Sequence, residues 1–307
     1  MQTIIINKND VDQRIDNFLK KTYPKITLSL IYRYLRTKRI KVNNKKILPN
    51  YRLRMDDKVY VYINDELLSK KESIKDFLLA PDKLSVVYED NNILVVNKPK
   101  GLVVHEDESN KTDTLINRIK HYLYNKHEWD YLIESNFAPA LVHRIDRNTT
   151  GLVLAAKNAK ALRILNAKIK LHEIDKYYIC RVYGIIDPKN GVLKDYLTRN
   201  MKTKIVKISN KPINKNSQQI ITEYRILSHD KNTSLIEIKL ITGKTHQIRA
   251  HMAFINHPLV GEKKYTQSEY SKLNIDRYQE LHAYKLVFNF KSDAGVLNYL
   301  NRKIIKA

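Results

Sequence analysis

The run Ala140 to Lys157, ALVHRIDRNTTGLVLAAK, decides how the rest of the chain is read. It is an apolar stretch, a charged turn and a second apolar stretch. Asp146 stands between Arg144 and Arg147, and a carboxylate flanked by guanidinium groups stays ionised at neutral pH. Asn148, Thr149, Thr150 and Gly151 follow, and these residue types form turns. The pattern predicts two strands joined by a turn that presents one carboxylate, a candidate nucleophile or base. Composition alone would favour an ordinary solvated turn with an Asp–Arg pair. What separates the two lies elsewhere in the chain.

Only seven of 307 residues are glycine, against a usual ~7%. In such a chain a retained glycine marks backbone that needs positive φ or close approach. Five of the seven stand in short blocks: Gly101 in NKPKGLVVH, Gly151 in DRNTTGL, Gly184 in YYICRVYG, Gly243 in ITGKTHQIRAH and Gly261 in HPLVGEKKY.

Taken together, these blocks resemble the RluA/RluC/RluD family of RNA pseudouridine synthases. His143-Arg144-Ile145-Asp146 followed by Arg147 to Gly151 matches the family's HRLD turn. Tyr88-Glu89-Asp90 and Ile93 to His105 match the block before it. Lys176-Tyr177-Tyr178 matches a KxY block, His246 to His251 an HQIRVH block, and Leu281-His282-Ala283 an LHA block. The likeness runs from about residue 12 to about 290, in family order. QRIDNFL (Gln13 to Leu19), IYRYLR (Ile31 to Arg36) and KIVKIS (Lys204 to Ser209) are closest to the RluC type; HPLVGEKKY looks equally like the RluD type.

The resemblance implies an α+β fold: a catalytic domain over residues 84–307 with a large, mainly antiparallel mixed sheet flanked by helices. It implies isomerisation of uridine to pseudouridine in bacterial large-subunit ribosomal RNA. That reaction breaks C1′–N1, turns the base and forms C1′–C5. Nothing is oxidised and no group is imported, so it calls for neither metal nor cofactor. One carboxylate suffices, as nucleophile on C1′ or base at C2′. In the resemblance Asp146 has that role and Arg249 is its counter-ion. Tyr178 is the ring on which the flipped base stacks, and Arg144 fills the space the base leaves. The protein is expected to act as a monomer in the cytoplasm.

Ahead of this lies a basic unit, residues 1–65. Ile15, Phe18 and Leu19 have helical spacing. Thr27 or Ser29 can cap a second helix through Leu30, Ile31, Tyr34 and Leu35. Its other face carries Arg33 and Arg36, with Lys38 and Arg39 just beyond, the expected RNA contacts. Ile40 to Asn43 and Lys58 to Ile63 alternate like strands. The unit resembles an S4 RNA-binding domain of small α/β type. Lys38, Asn44 and Asp56 stand where that pattern commonly has glycine; Asn and Asp tolerate left-handed backbone, whereas Lys38 is the harder departure. Residues 66–83, charged and containing Pro81, read as a linker with a short helix.

Composition agrees. The 43% hydrophobic content supports a packed core. No apolar run approaches the ~18 residues of a membrane span, and MQTIIINKNDVDQR lacks the features of a secretory signal. The lone Cys180 reads as a small buried hydrophobe. With 56 Lys and Arg against 32 Asp and Glu, the formal charge is +24, the footprint of a nucleic-acid binder. Two other readings compete. One is a metal enzyme using His143, His246, His251 and Asp146, although the sequence has no HExxH and no cysteine pair. The other is a non-catalytic S4-domain RNA-binding or ribosome-associated protein, which leaves the second domain unexplained.

Overall fold

Helix caps and strand alternation place the first unit. In the computed structural model, which describes residues 1–64, 68, 75–108, 110–134, 136–266 and 278–307, Thr27 caps a helix. Its Oγ1 accepts from the Leu30 N–H at 3.3 Å and starts α2 (Leu28–Arg36). Before it, α1 (Ile15–Thr22) buries Ile15, Phe18 and Leu19. Both helices lie on an antiparallel sheet of β1 (Gln2–Ile5), β2 (Ile40–Val42) and β3 (Lys58–Val61), in the order β1–β3–β2. The edge strand β1 was not expected: four alternating residues beside charged ones give a weak signal. Lys38, Asn44 and Asp56 have φ of 62°, 62° and 64°. All three therefore adopt the left-handed backbone that glycine would supply, Lys38 included.

The second unit is organised by one sheet in the order β10–β9–β11–β12–β8–β13–β7–β5–β4. Its strands are β4 (Val86–Glu89), β5 (Ile93–Lys98), β6 (Ala140–Leu141), β7 (Thr150–Ala156), β8 (Ile174–Tyr183), β9 (Asn190–Arg199), β10 (Val206–Ser209), β11 (Gln218–His229), β12 (Thr233–Leu240), β13 (Leu281–Phe288) and β14 (Ile304–Lys306). Short β6 pairs with β7 and β14 with β13. Every pairing is antiparallel except β13 with β7. The α+β fold with a mainly antiparallel mixed sheet is the expected one. Helices α3 (Leu115–Asn125), α4 (Ala159–Lys170) and α5 (Gln247–Phe254) flank it. Strand β8 is buried at Ile174, Lys176, Tyr178, Cys180 and Val182 and half-buried between them, so alternate residues share one covered face. Burial raises the Cys180 thiol pKa strongly, which keeps it an inert thiol.

Gly151 makes the parallel β13–β7 pairing possible. Its φ is +110°, and a Cβ there would lie 2.2 Å from the Ala283 carbonyl oxygen. Gly243 departs from the glycine expectation: it has neither positive φ nor a close neighbour.

Part of the expected linker packs as wall of the second unit. Lys75–Leu79 is a 3-10 turn that buries Phe77 edge-on against Tyr124, Trp129 and Tyr131. Residues 66–67 and 69–74 of that linker lie outside the described residues. The two units also touch directly. Asn158 caps α4 by accepting from Ala161 N, while Asn9 of the first unit accepts from Ala159 N at 3.0 Å. Asn9 donates to Glu134 at 2.6 Å, and Asn136 donates to Thr22 at 2.9 Å. No helix among the described residues is long and apolar enough to cross a membrane.

Candidate active site

The strand–turn–strand predicted around Asp146 forms, with only two residues in its first strand. Asp146 opens the turn, its carbonyl accepting from the Thr149 N–H at 3.1 Å. The flanking arginines do not hold it, contrary to expectation. Arg147 points away to Asp107 at 2.6 Å, and Arg144 is exposed on the cleft rim. The sequence order Arg-Ile-Asp-Arg placed three charges side by side; the turn sends them in different directions.

The partner of Asp146 comes from 103 positions downstream. Arg249 Nη1 donates to its Oδ2 at 3.2 Å. The other edge of the same guanidinium forks onto Glu262, with Nε–Oε2 2.6 Å and Nη2–Oε1 2.8 Å. Burial works against the charge of Glu262, but hydrogen bonds from Arg249 and backbone N–H groups outweigh it and hold the carboxyl below its ordinary range. Burial opposes the Arg249 charge as well, and the two carboxylates overcome it and hold the guanidinium protonated. Arg249 is thus clamped on one edge and aimed with the other, the planar geometry that suits arginine.

Two further anchors fix the turn. Lys98 is fully buried, and its Nζ donates to the carbonyls of Pro99, Leu102 and Arg147 at 2.8, 2.9 and 2.8 Å. Burial pushes its pKa down to about 8, partly offset by Asp146. Gly101 N also donates to the Arg147 carbonyl at 3.0 Å. His246, left-handed at φ 55°, places Nε2 3.9 Å from Asp146, and its Nδ1 meets the Tyr265 hydroxyl at 2.6 Å. Burial lowers the His246 pKa. Gln247 is spent on structure: its Oε1 accepts from Thr242 and Lys244 N, and its Nε2 donates to Ile221 O and Thr222.

The groups border one cleft of about 460 Å³, lined by Arg144, Asp146, Tyr178, His246 and Arg249 among others. It is large enough for a nucleobase and its sugar. Tyr178 projects from β8 and is buried. Burial first, then the Asp146 charge, raises its pKa strongly, so it presents a neutral phenol. Hence Asp146 with Arg144, Tyr178 and Arg249, from three separate stretches of the sequence, share one cavity. Arg33, Arg36, Lys38 and Arg39 lie exposed on the first unit, and none of them lines this cleft. The histidines of the metal reading are spread over separate partners. His251 joins Asp195 at 2.9 Å and Thr222, while His143 Nε2 accepts from Leu154 N. Among the described residues no three His, Cys, Asp or Glu side chains converge as metal ligands.

Lys98 and Glu262 received no role in the sequence, although both stand in glycine-marked blocks, NKPKG and VGEKK. The usable signal was a charged residue within three positions of a retained glycine. Gly261 has φ +77°, and a Cβ there would meet the Tyr278 carbonyl at 2.1 Å, which fixes the backbone that presents Glu262.

Comparison with known proteins bears on the family and the fold. The family model described as RNA pseudouridylate synthase matches residues 92–254, and an S4 domain matches residues 13–59. An uncharacterized RNA pseudouridine synthase of Mycoplasma capricolum subsp. capricolum is 37% identical, covering 99% of this chain and 97% of that protein. Ribosomal large subunit pseudouridine synthase C of Buchnera aphidicola subsp. Schizaphis graminum is 34% identical over 85% of this chain and 80% of its own. The structure of human RNA pseudouridylate synthase domain containing 1 superposes with a TM-score of 0.56 at 22% identity, covering 69% of this chain and 81% of that one; this likeness is one of fold.

Proposed function

The chain belongs to the RNA pseudouridine synthase family and carries an S4 domain ahead of the catalytic one, and from that premise we propose that it converts uridines of large-subunit ribosomal RNA to pseudouridine in the cytoplasm, with Asp146 as the catalytic carboxylate. The observation that carries the assignment is the chain Asp146–Arg249–Glu262, whose first two members line a cleft walled also by Tyr178. A single carboxylate is held by a clamped cation beside a buried aromatic ring.

The reaction follows from these parts. A uridine leaves its stack and enters the cleft, and Tyr178 stacks on the base. Arg144, on the rim, occupies the place the base leaves. Asp146 then attacks C1′ or takes the C2′ proton, and the C1′–N1 bond breaks. The freed base turns in the cleft and C5 bonds to C1′, displacing the Asp146 oxygen on the first route, with the proton returned to C2′ on the second; the C5 hydrogen is then lost as N1 gains one. Arg249 fixes the carboxylate and keeps its charge balanced. A clamped guanidinium costs no reorganisation during the reaction, which is what makes such placement effective.

The large-subunit target is supported by the similarity to the Buchnera protein, whose name states that substrate class. Exposed Arg33, Arg36, Lys38 and Arg39 on the S4 unit are the surface that would hold RNA outside the cleft. Mapping pseudouridines in ribosomal RNA with and without the gene tests the target. Sites that vanish from large-subunit RNA and return on complementation are expected; an unchanged large-subunit map would contradict the proposal.

A further inference from the structure

We infer that the end of the cleft beneath Lys176 is a phosphate subsite, holding a phosphodiester that adjoins the target uridine; the inference rests on the reading of the cleft given above. Lys176 lines the same cavity as Tyr178 and is only 8% exposed. Its ammonium makes no hydrogen bond or ion pair with a described residue. The acidic group nearest in effect is Asp175, and that carboxylate is already paired with Lys239 at 3.3 Å.

The other buried lysines show how unusual this is. Lys98 has three carbonyl acceptors. Lys168 has Glu173 at 2.7 Å and both Ser292 oxygens. Lys176 is largely covered and its ammonium opens on the cleft without a protein acceptor; withdrawing a cation from water without a partner is unfavourable, so the position calls for an acceptor that arrives with the substrate.

A second orphan donor stands beside it. His143 Nε2 accepts from the Leu154 N–H at 3.2 Å, so the neutral ring carries its proton on Nδ1. That Nδ1 is buried, has no partner, and belongs to a residue that lines the cleft. Burial, then the Lys176 charge, keeps the ring neutral, with a pKa of about 3. Both residues line the same cleft. One ammonium and one neutral N–H suit an oxyanion with several acceptor oxygens. Lys170, exposed on the same wall, adds a cation at the entrance.

Spacing fits the substrate. Lys176 and Tyr178 are two apart on one face of β8, hence about 6–7 Å along the strand. A base on Tyr178 carries its sugar and phosphate to a similar remove.

The test is a coupling measurement. A short RNA with one target uridine is made with the 5′ or the 3′ flanking phosphate replaced by a neutral methylphosphonate. KM, kcat and Kd are measured for wild type, Lys176→Met and Lys176→Arg, with Lys176→Gln in reserve should the methionine variant not fold. One replacement should weaken binding by wild type and by Lys176→Arg about tenfold, and binding by Lys176→Met less than twofold, with kcat nearly unchanged. Equal losses in wild type and Lys176→Met at both positions, or a wild type indifferent to both, would overturn the subsite. Lys176-dependent protection by inorganic phosphate without coupling to either replacement would mean a free-anion site, which also overturns it. Because coupling is read in Kd, a protein that binds with the expected coupling but isomerises nothing would fail the functional reading and leave the subsite standing.

Discussion

At the scale of single residues, the cleft depends on a charge chain rather than on one carboxylate. Glu262 is fully buried and orients Arg249. Glu262→Gln keeps the shape but removes the charge that clamps the guanidinium. We expect kcat to fall by about tenfold to a hundredfold, the scale of a small misplacement near the reacting atoms, with RNA affinity little changed. An unaltered kcat would show that Arg249 needs no clamp. The same residue predicts a pH effect. The folded carboxyl titrates below its unfolded value, so its stabilisation is present above the ordinary glutamate pKa of about 4.3 and is lost as pH falls through the lowered folded value. Acid unfolding below about pH 4 should therefore be shallower in Glu262→Gln than in wild type, read by circular dichroism. Asp146, Tyr178 and Arg249 could be named from sequence because each sits in a distinctive motif. For Glu262 the glycine beside it marks the position but not its role, since that role is a contact with a side chain thirteen positions away.

At the scale of elements, backbone geometry sets what can be changed. Gly151→Ala would drive a methyl into the Ala283 carbonyl where β7 runs parallel to β13. We expect a loss of about 3 kcal/mol or more in stability, above the usual cost of overpacking, measured by denaturant titration. A loss below about 1 kcal/mol would mean that the strands can part locally. Lys38→Gly should act in the opposite sense. Lys38 holds φ +62°, which costs an L-residue about 1–2 kcal/mol, part of it returned through the more flexible unfolded chain. A net gain of about 0.5–1 kcal/mol is expected, and a loss would contradict the assigned turn. The capped helices α2 and α4 and the alternating strands β8 and β12 could be read because each carries a local signal. Edge strand β1 and the paired β9 and β11 could not, because their pairing is decided by partners far along the chain.

At the scale of the whole molecule, charge and architecture act together. The +24 formal charge identified a polyanion partner, and the S4 unit presents an exposed basic face at Arg33, Arg36 and Arg39. Replacing these three by alanine should flatten the slope of log Kd against log salt by about 2 to 3 units if each contacts one phosphate. Chemistry on a short substrate should persist. An unchanged slope would remove this face from the RNA contact. The contacts of Asn9 with Ala159 and Glu134, and of Asn136 with Thr22, were not legible, because polar side chains between two units leave no period in either.

The most direct test of the account is conversion of uridine to pseudouridine in large-subunit RNA by purified wild-type protein and by Asp146→Asn, with RNA binding measured in parallel. The amide keeps the shape of the side chain, and Arg249 remains clamped by Glu262 at 2.6 and 2.8 Å. The account predicts conversion by wild type, no detectable conversion by the variant, and RNA affinity within about threefold of wild type, a difference of about 0.7 kcal/mol. Conversion by Asp146→Asn at a rate near that of wild type would contradict it.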